Sequence, residues 1–218
     1  MNDSLFEWHF ERSKVFMSVE NIIPEVGNYD CIIITGTCGS GKTTLATKLA
    51  AKTRAYLYME DEVFAKAIES GRISFSVQQN FFTIQALRLE TLESAFATHA
   101  KVVCDIHLHT TAEVKWFLDV IDRALSKEHG NNILIIKMFP SRETSEKFLK
   151  TRAEKRAKGK NSAEATFVRF IEAQNLIDLD SQRADFQEVL KTSFGSWSNQ
   201  RFSVSEITIT DPTQVSIQ

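Results

Sequence analysis

Cysteine is scarce in this chain, net charge is close to zero, and no apolar run is long enough to span a bilayer. Its 218 residues contain three cysteines, Cys31, Cys38 and Cys104, an odd number that excludes a fully paired disulfide framework. Two of them lie in apolar stretches that read as buried strands. With no signal-peptide pattern either, the expectation is a reduced, cytoplasmic protein without a membrane partner. Twenty-six Lys and Arg face 28 Asp and Glu, for a formal net charge of −2. Nothing overall attracts nucleic acid or an anionic surface, so an anion must be held by a local cluster. Repeats and low-complexity stretches are missing, and the length suits one α/β domain with a full core.

Glycine is sparse as well, with eight residues in all. Three of these stand in Gly36-Thr37-Cys38-Gly39-Ser40-Gly41-Lys42-Thr43, directly after the apolar run Cys31-Ile32-Ile33-Ile34-Thr35. Strand, glycine-rich loop and helix in that order make a phosphate-binding P-loop. Without Cβ atoms, the glycines let consecutive N–H groups turn inward around a phosphate. Lys42 adds a point charge, Thr43 offers a hydroxyl to Mg²⁺, and Thr44 continues the helix whose positive end faces the anion. Residues Gly36 to Thr44 therefore predict binding of a nucleoside triphosphate with Mg²⁺. Cys38 lies inside the loop, where it is either a neutral spacer or a point at which oxidation blocks the nucleotide.

Beyond the loop, short apolar segments alternate with helical ones, which predicts a parallel sheet covered on both faces. Strands are expected at about 29–35, 55–59, 101–106, 132–138 and 202–210. Helices are expected at about 41–53, 61–70, 77–98, 111–128, 142–159, 162–178 and 181–193. In the helix from Thr111, the residues Val114, Phe117, Leu118, Ile121 and Leu125 share a face, and Thr110 with Glu113 forms a capping box. Phe167, Phe170, Ile171 and Ile177 read as the buried side of another helix. Residues 1–28 form an N-terminal extension in which Phe6, Trp8, Phe10 and then Val15, Met17, Val19 alternate as in a hairpin; a helix fits nearly as well. The main domain runs over 29–218 and includes a basic lid at 142–161.

Three features narrow the chemistry. The second strand, Ala55-Tyr56-Leu57-Tyr58-Met59, ends in Glu60-Asp61-Glu62, and the carboxyl ends of strands line the ligand crevice of an open α/β sheet. A carboxylate there can accept a hydroxyl proton as a phosphoryl group is transferred, or can simply start the next helix. Asp105 closes the strand beside the P-loop, placed to hold Mg²⁺ through water or to bind substrate; with His107 and His109 it also permits a transition-metal site. Residues 147–160 carry Lys147, Lys150, Arg152, Lys155, Arg156, Lys158 and Lys160 against Glu154 alone. Arg152 and Arg156 share a helical face and can fold over a triphosphate as a lid. A solvated basic face is the plainer reading. A nucleic-acid surface would need interleaved aromatic residues, which are missing.

These residues resemble the deoxynucleoside kinases, and more loosely the thymidylate kinases, over roughly residues 29–211. The resemblance implies a P-loop NTPase fold: a three-layer α/β sandwich on a five-stranded parallel sheet of order 2-3-1-4-5, with a helical lid. It implies Glu60 as the base, with Asp61 its rival because the usual proline after the glutamate is absent. Lys42, Arg152 and Arg156 would compensate transition-state charge, with Lys158 completing the lid pattern. Gln85 and Arg88, in Phe82-Thr83-Ile84-Gln85-Ala86-Leu87-Arg88, would read the base, and Asp105 would sit at the substrate or the metal. Asp211, in Thr210-Asp211-Pro212, would border the adenine. Where the family has acid-Arg-Ser, this chain has Asp105-Ile106-His107. The resemblance further implies ATP and Mg²⁺, a small nucleoside or nucleotide substrate, and a homodimer. A monophosphate acceptor, with Arg72 and Arg88 as its cations, and a nucleotide-dependent switch without an acceptor are the other readings.

Overall fold

The computed structural model describes residues 21–23, 26–72, 81–108, 110–125, 132–160, 162–191 and 202–217. Its strands are β1 (Asn21–Ile23), β2 (Cys31–Gly36), β3 (Tyr56–Met59), β4 (Val102–Asp105), β5 (Asn132–Met138), β6 (Ser203–Ile209) and β7 (Val215–Ile217). Its helices are α1 (Lys42–Thr53), α2 (Glu60–Glu69), α3 (Phe81–Thr98), α4 (Thr111–Ala124), α5 (Arg142–Ala157) and α6 (Ser162–Lys191).

All six residues of β2 are buried. Three successive isoleucines suit a strand covered on both faces, where β-branched side chains pack without a polar side. It pairs in parallel with β4 on one side and β5 on the other, Ile34 lying opposite both Asp105 and Ile136. The sheet order is β3-β4-β2-β5-β6; counted in chain order among themselves, these strands run 2-3-1-4-5, as expected. Because side chains alternate along a strand, β2 feeds two cores. Ile33 packs with Leu92, Phe96, Phe117, Ile121 and Phe186 under α3, α4 and α6. Ile32 and Ile34 pack with Leu45, Leu49, Val103 and Ile136 under α1. Each buried isoleucine contributes about 2 kcal/mol.

The capping box of α4 is present: the Thr110 side chain accepts from the Glu113 N–H, and the Glu113 carboxylate accepts from the Thr110 N–H. Val114, Phe117, Leu118, Ile121 and Leu125 are buried as the periodicity requires.

Two expectations are corrected. The break between 178 and 181 does not occur, and α6 runs unbroken from Ser162 to Lys191. Asp180-Ser181 looks like a capping pair, but Leu179, Phe186 and Val189 continue one buried stripe across it, and that packing outweighs local capping preference. Ile177, expected on the buried side, is 71% exposed because it lies on the face away from that stripe. The side chains of Phe167, Phe170 and Ile171 lie outside the described residues, as do 77–80, 126–128 and the hairpin segment of 1–20. One pairing had no sequence signal: β1, within the expected extension, joins β7 in a separate parallel pair.

Strand ends fix where a ligand can sit. The chain leaves β2 toward β3 and β4 on one side and reaches β5 on the other, so the crevice opens above the carboxyl end of β2. Thr35 anchors that end: its buried hydroxyl donates to the Leu108 carbonyl and accepts from the Leu108 N–H at 3.1 Å, drawing the segment after β4 over the loop.

Candidate active site

The loop after β2 is shaped by contacts that leave no room for a Cβ. Gly36, at φ +148°, would place one 2.1 Å from the Met138 carbonyl oxygen of β5. Gly39, at φ +69°, would place one 2.6 Å from the Ser145 carbonyl oxygen of α5. The loop thus lies directly beneath α5 and is held to a conformation that favours glycine.

Lys42, 5% exposed, folds back into the loop and donates to the carbonyls of Gly36 at 2.8 Å and Thr37 at 3.0 Å. Burial lowers its pKa from the usual lysine value, opposed by the fields of Asp105, Cys38 and Asp61. The hydroxyls of Thr37 and Ser40 are buried without a hydrogen-bond partner among the described residues. Buried donors of this kind, beside a buried ammonium and a helix N-terminus, fit a polyanion.

Thr43 Oγ1 donates to Asp105 Oδ2 at 2.6 Å, joining the start of α1 to the end of β4. Burial raises the Asp105 pKa, while the Thr43 hydrogen bond and Lys42 pull it down and Asp61 pushes it up. A hydroxyl and a carboxylate held together are hard oxygen donors suited to Mg²⁺ with retained waters. Among the described residues no three of His, Cys, Asp and Glu gather as a transition-metal site, and His109 lies outside them.

A cavity of about 670 Å³ opens over the loop. Cys38 to Thr44 form its floor. Lys147, Phe148, Thr151, Arg152, Lys155 and Arg156 of α5 line it from above, Asp61 and His107 from the β3 and β4 side, and Pro212, Thr213 and Val215 from the other. The basic face of α5 is therefore turned toward the loop, with Arg152 and Arg156 both on the cavity. Asp211 caps the turn Pro212–Gln214, accepting from the Thr213 N–H at 2.9 Å and its hydroxyl at 2.5 Å.

The acidic trio divides its labour. Glu60 is 4% exposed; one carboxylate oxygen accepts from the His107 N–H at 3.0 Å and the other pairs with Arg88. The Arg88 guanidinium lies over the rings of Trp116 and Phe64, 5.0 and 5.4 Å from their centroids. Asp61, one residue on, is exposed and lines the cavity. A helix starting at Glu60 turns neighbouring side chains about 100° apart, enough to send one carboxylate into the protein and the next into the cleft. The structure thus brings Lys42, Thr43, Asp61, Asp105, Arg152 and Arg156 to one end of the sheet, while Glu60 and Arg88 spend their charges on each other. Gln85, expected to read a base, has its Oε1 buried without a partner among the described residues.

Gln182 had no sequence signal: its Oε1 accepts from the Cys38 N–H at 3.2 Å, from a helix 144 residues downstream. Phe148 and Thr151, the uncharged members of the α5 face, were equally unmarked.

Loop, buried lysine, Thr–Asp pair and sheet order together define a P-loop nucleotide-binding fold. A family model described as an AAA domain matches residues 31–176, and the chain belongs to that family. No curated protein matches it. Among solved structures, a sugar kinase from a Janibacter species is 15% identical over 84% of this chain and 87% of its own, with a TM-score of 0.45. A gluconokinase from Sinorhizobium meliloti is 12% identical over 84% and 83%, with a TM-score of 0.42. A deoxyadenosine kinase from M. mycoides, solved with dCTP, is 16% identical over 84% and 94%, with a TM-score of 0.37. No described helix is long and apolar enough to cross a membrane.

Proposed function

We propose that the chain is an ATP-dependent kinase of a small-molecule alcohol, with the 5′-hydroxyl of a deoxynucleoside as acceptor. The observation carrying this reading is that a cavity floored by the P-loop and faced by Arg152 and Arg156 also exposes a carboxylate, Asp61, at a strand end. A kinase must take the acceptor's proton, and a carboxylate at this strand end supports that role; a hydrolytic switch would use the same position to orient water, so acceptor-stimulated turnover separates the two.

In this reading the loop N–H groups and Lys42 bind the donor phosphates, and Arg152 and Arg156 neutralise charge that grows as the phosphoryl group moves. Thr43 and Asp105 would hold Mg²⁺, which when bound offsets phosphate charge. Asp61 accepts the proton of the acceptor hydroxyl. Glu60 is a positioning residue: paired with Arg88 and bonded to the His107 N–H, it fixes the start of α2 and the segment after β4 around Asp61.

A monophosphate acceptor is less well supported. Its two candidate cations are engaged with carboxylates, Arg72 with Glu90 at 2.8 Å and Arg88 with Glu60. Gln85, with its Oε1 buried and unpartnered among the described residues, supports an acceptor that carries a base, whether nucleoside or monophosphate. The test is ATP turnover against the four deoxynucleosides, their monophosphates and a no-acceptor control. Stimulation by one nucleoside is expected; equal slow hydrolysis in every reaction would reject the reading.

A further inference from the structure

One peptide unit in the loop is held from both ends. The carbonyl of Thr37 accepts from the Lys42 ammonium at 3.0 Å. The N–H of the same unit, belonging to Cys38, donates to Gln182 Oε1 at 3.2 Å. A trans peptide is planar, with its C=O and N–H pointing in opposite directions. Lys42 and Gln182 therefore grip the unit from opposite sides, the Ser40 N–H also donating to the Thr37 carbonyl at 3.3 Å, and rotating the unit would break all three bonds together.

The grip comes from a fixed point. In the same turn of α6, Asp180 pairs with Arg142 at 3.1 Å. Arg183 donates to the Pro140 carbonyl at 2.7 Å and lies 4.3 Å from the Phe139 ring centroid. These contacts tie residues 180–183 to the junction of β5 and α5, so Gln182 reaches the loop from an element already anchored beside it. Gln182 also lies beyond the 31–176 span that matches the family model.

From this geometry we infer that Gln182 is a positioning residue for Lys42. By fixing the Thr37–Cys38 peptide plane, it sets the direction of one of the two carbonyls that aim the ammonium at the donor phosphates. Gly36 and Gly39 flank this unit and leave the backbone on either side of it free to turn, and an ammonium on a four-carbon stem has many rotamers to lose. A side-chain acceptor supplied by α6 removes part of that freedom before ATP arrives. The inference rests on the P-loop binding ATP, not on the identity of the acceptor.

The test is a double-mutant cycle read by ATP binding. Gln182→Met keeps the length of the side chain and removes the accepting oxygen. It should weaken ATP binding about tenfold, while the unpaired Cys38 N–H lowers the melting temperature of the nucleotide-free protein by at most about 4 °C. In a Lys42→Met background, titrated over a correspondingly higher ATP range, the same change should cost less than about twofold, because the group it positions is gone. An affinity within twofold of wild type, or a tenfold loss that persists without Lys42, would overturn the inference. Because only binding is measured, ATP binding without acceptor-dependent turnover would reject the kinase reading and leave this result standing.

Discussion

Thr43 and Asp105, 62 residues apart in sequence, share a 2.6 Å hydrogen bond that ties the first turn of α1 to the end of β4. The carboxylate making it is buried, and burial raises its pKa above the unfolded value of about 3.9. A raised carboxyl pKa means that Asp105's contribution to stability is full below the unfolded pKa and is lost as pH rises through the folded pKa. Asp105→Asn should therefore melt higher than wild type, by a margin that widens as pH rises out of the acid range. The same variant should need about 10- to 100-fold more Mg²⁺ for turnover. Melting curves and Mg²⁺ titrations across pH check both; a variant less stable than wild type at neutral pH would contradict the assignment of burial as the dominant effect.

The Glu60–Arg88 pair predicts a stability defect. Glu60→Gln removes the carboxylate paired with Arg88 and leaves its guanidinium, inside a shell of Tyr58, Phe64 and Trp116, with only the weaker field of Glu113. Such a loss costs about 3 kcal/mol. Combining Glu60→Leu with Arg88→Met should recover much of it in denaturant melts. If Glu60→Gln were as stable as wild type and abolished turnover, Glu60 rather than Asp61 would be the base.

Arg152 tests the basic face of α5. Arg152→Ala should lower turnover by about 10³-fold or more while changing ATP affinity far less, because an arginine that meets the migrating phosphoryl group acts mainly in the transition state. Equal losses in affinity and turnover would make it a ground-state phosphate contact instead.

Gly39 carries a packing prediction. An alanine there would set its Cβ 2.6 Å from the Ser145 carbonyl and 2.8 Å from Leu149 Cγ, at a φ of +69°. Lifting α5 from the loop should lower both the melting temperature and ATP affinity. Gly71→Ala, equally left-handed at φ +72° but with nothing within 4 Å, should cost only the backbone strain of about 1 kcal/mol.

The parts of this fold that are written locally were readable before any coordinates. The P-loop, the strand 132–138 and the capping box of Thr110 and Glu113 each depend on residues a few positions apart. The division between Glu60 and Asp61 was not readable, because adjacent acids at a helix start differ only in which way the helix turns them and in what waits there. That information sits on α3, in Arg88. Gln182 is the extreme case: an ordinary polar residue in a long helix acquires a role only when the fold brings it to Cys38. The same distance effect explains α6, where Asp180-Ser181 imitates a helix start and the buried stripe through Leu179 and Phe186 overrides it.

Asp61 carries the claim that separates a kinase from a binding module. The most direct measurement is deoxynucleoside-stimulated ATP turnover by wild type and Asp61→Asn, with ATP affinity followed in parallel. The expected result is stimulation in wild type and a loss of about 100- to 10,000-fold in the variant at nearly unchanged ATP affinity. Turnover that no acceptor stimulates, or that survives the loss of the Asp61 carboxylate, would contradict it.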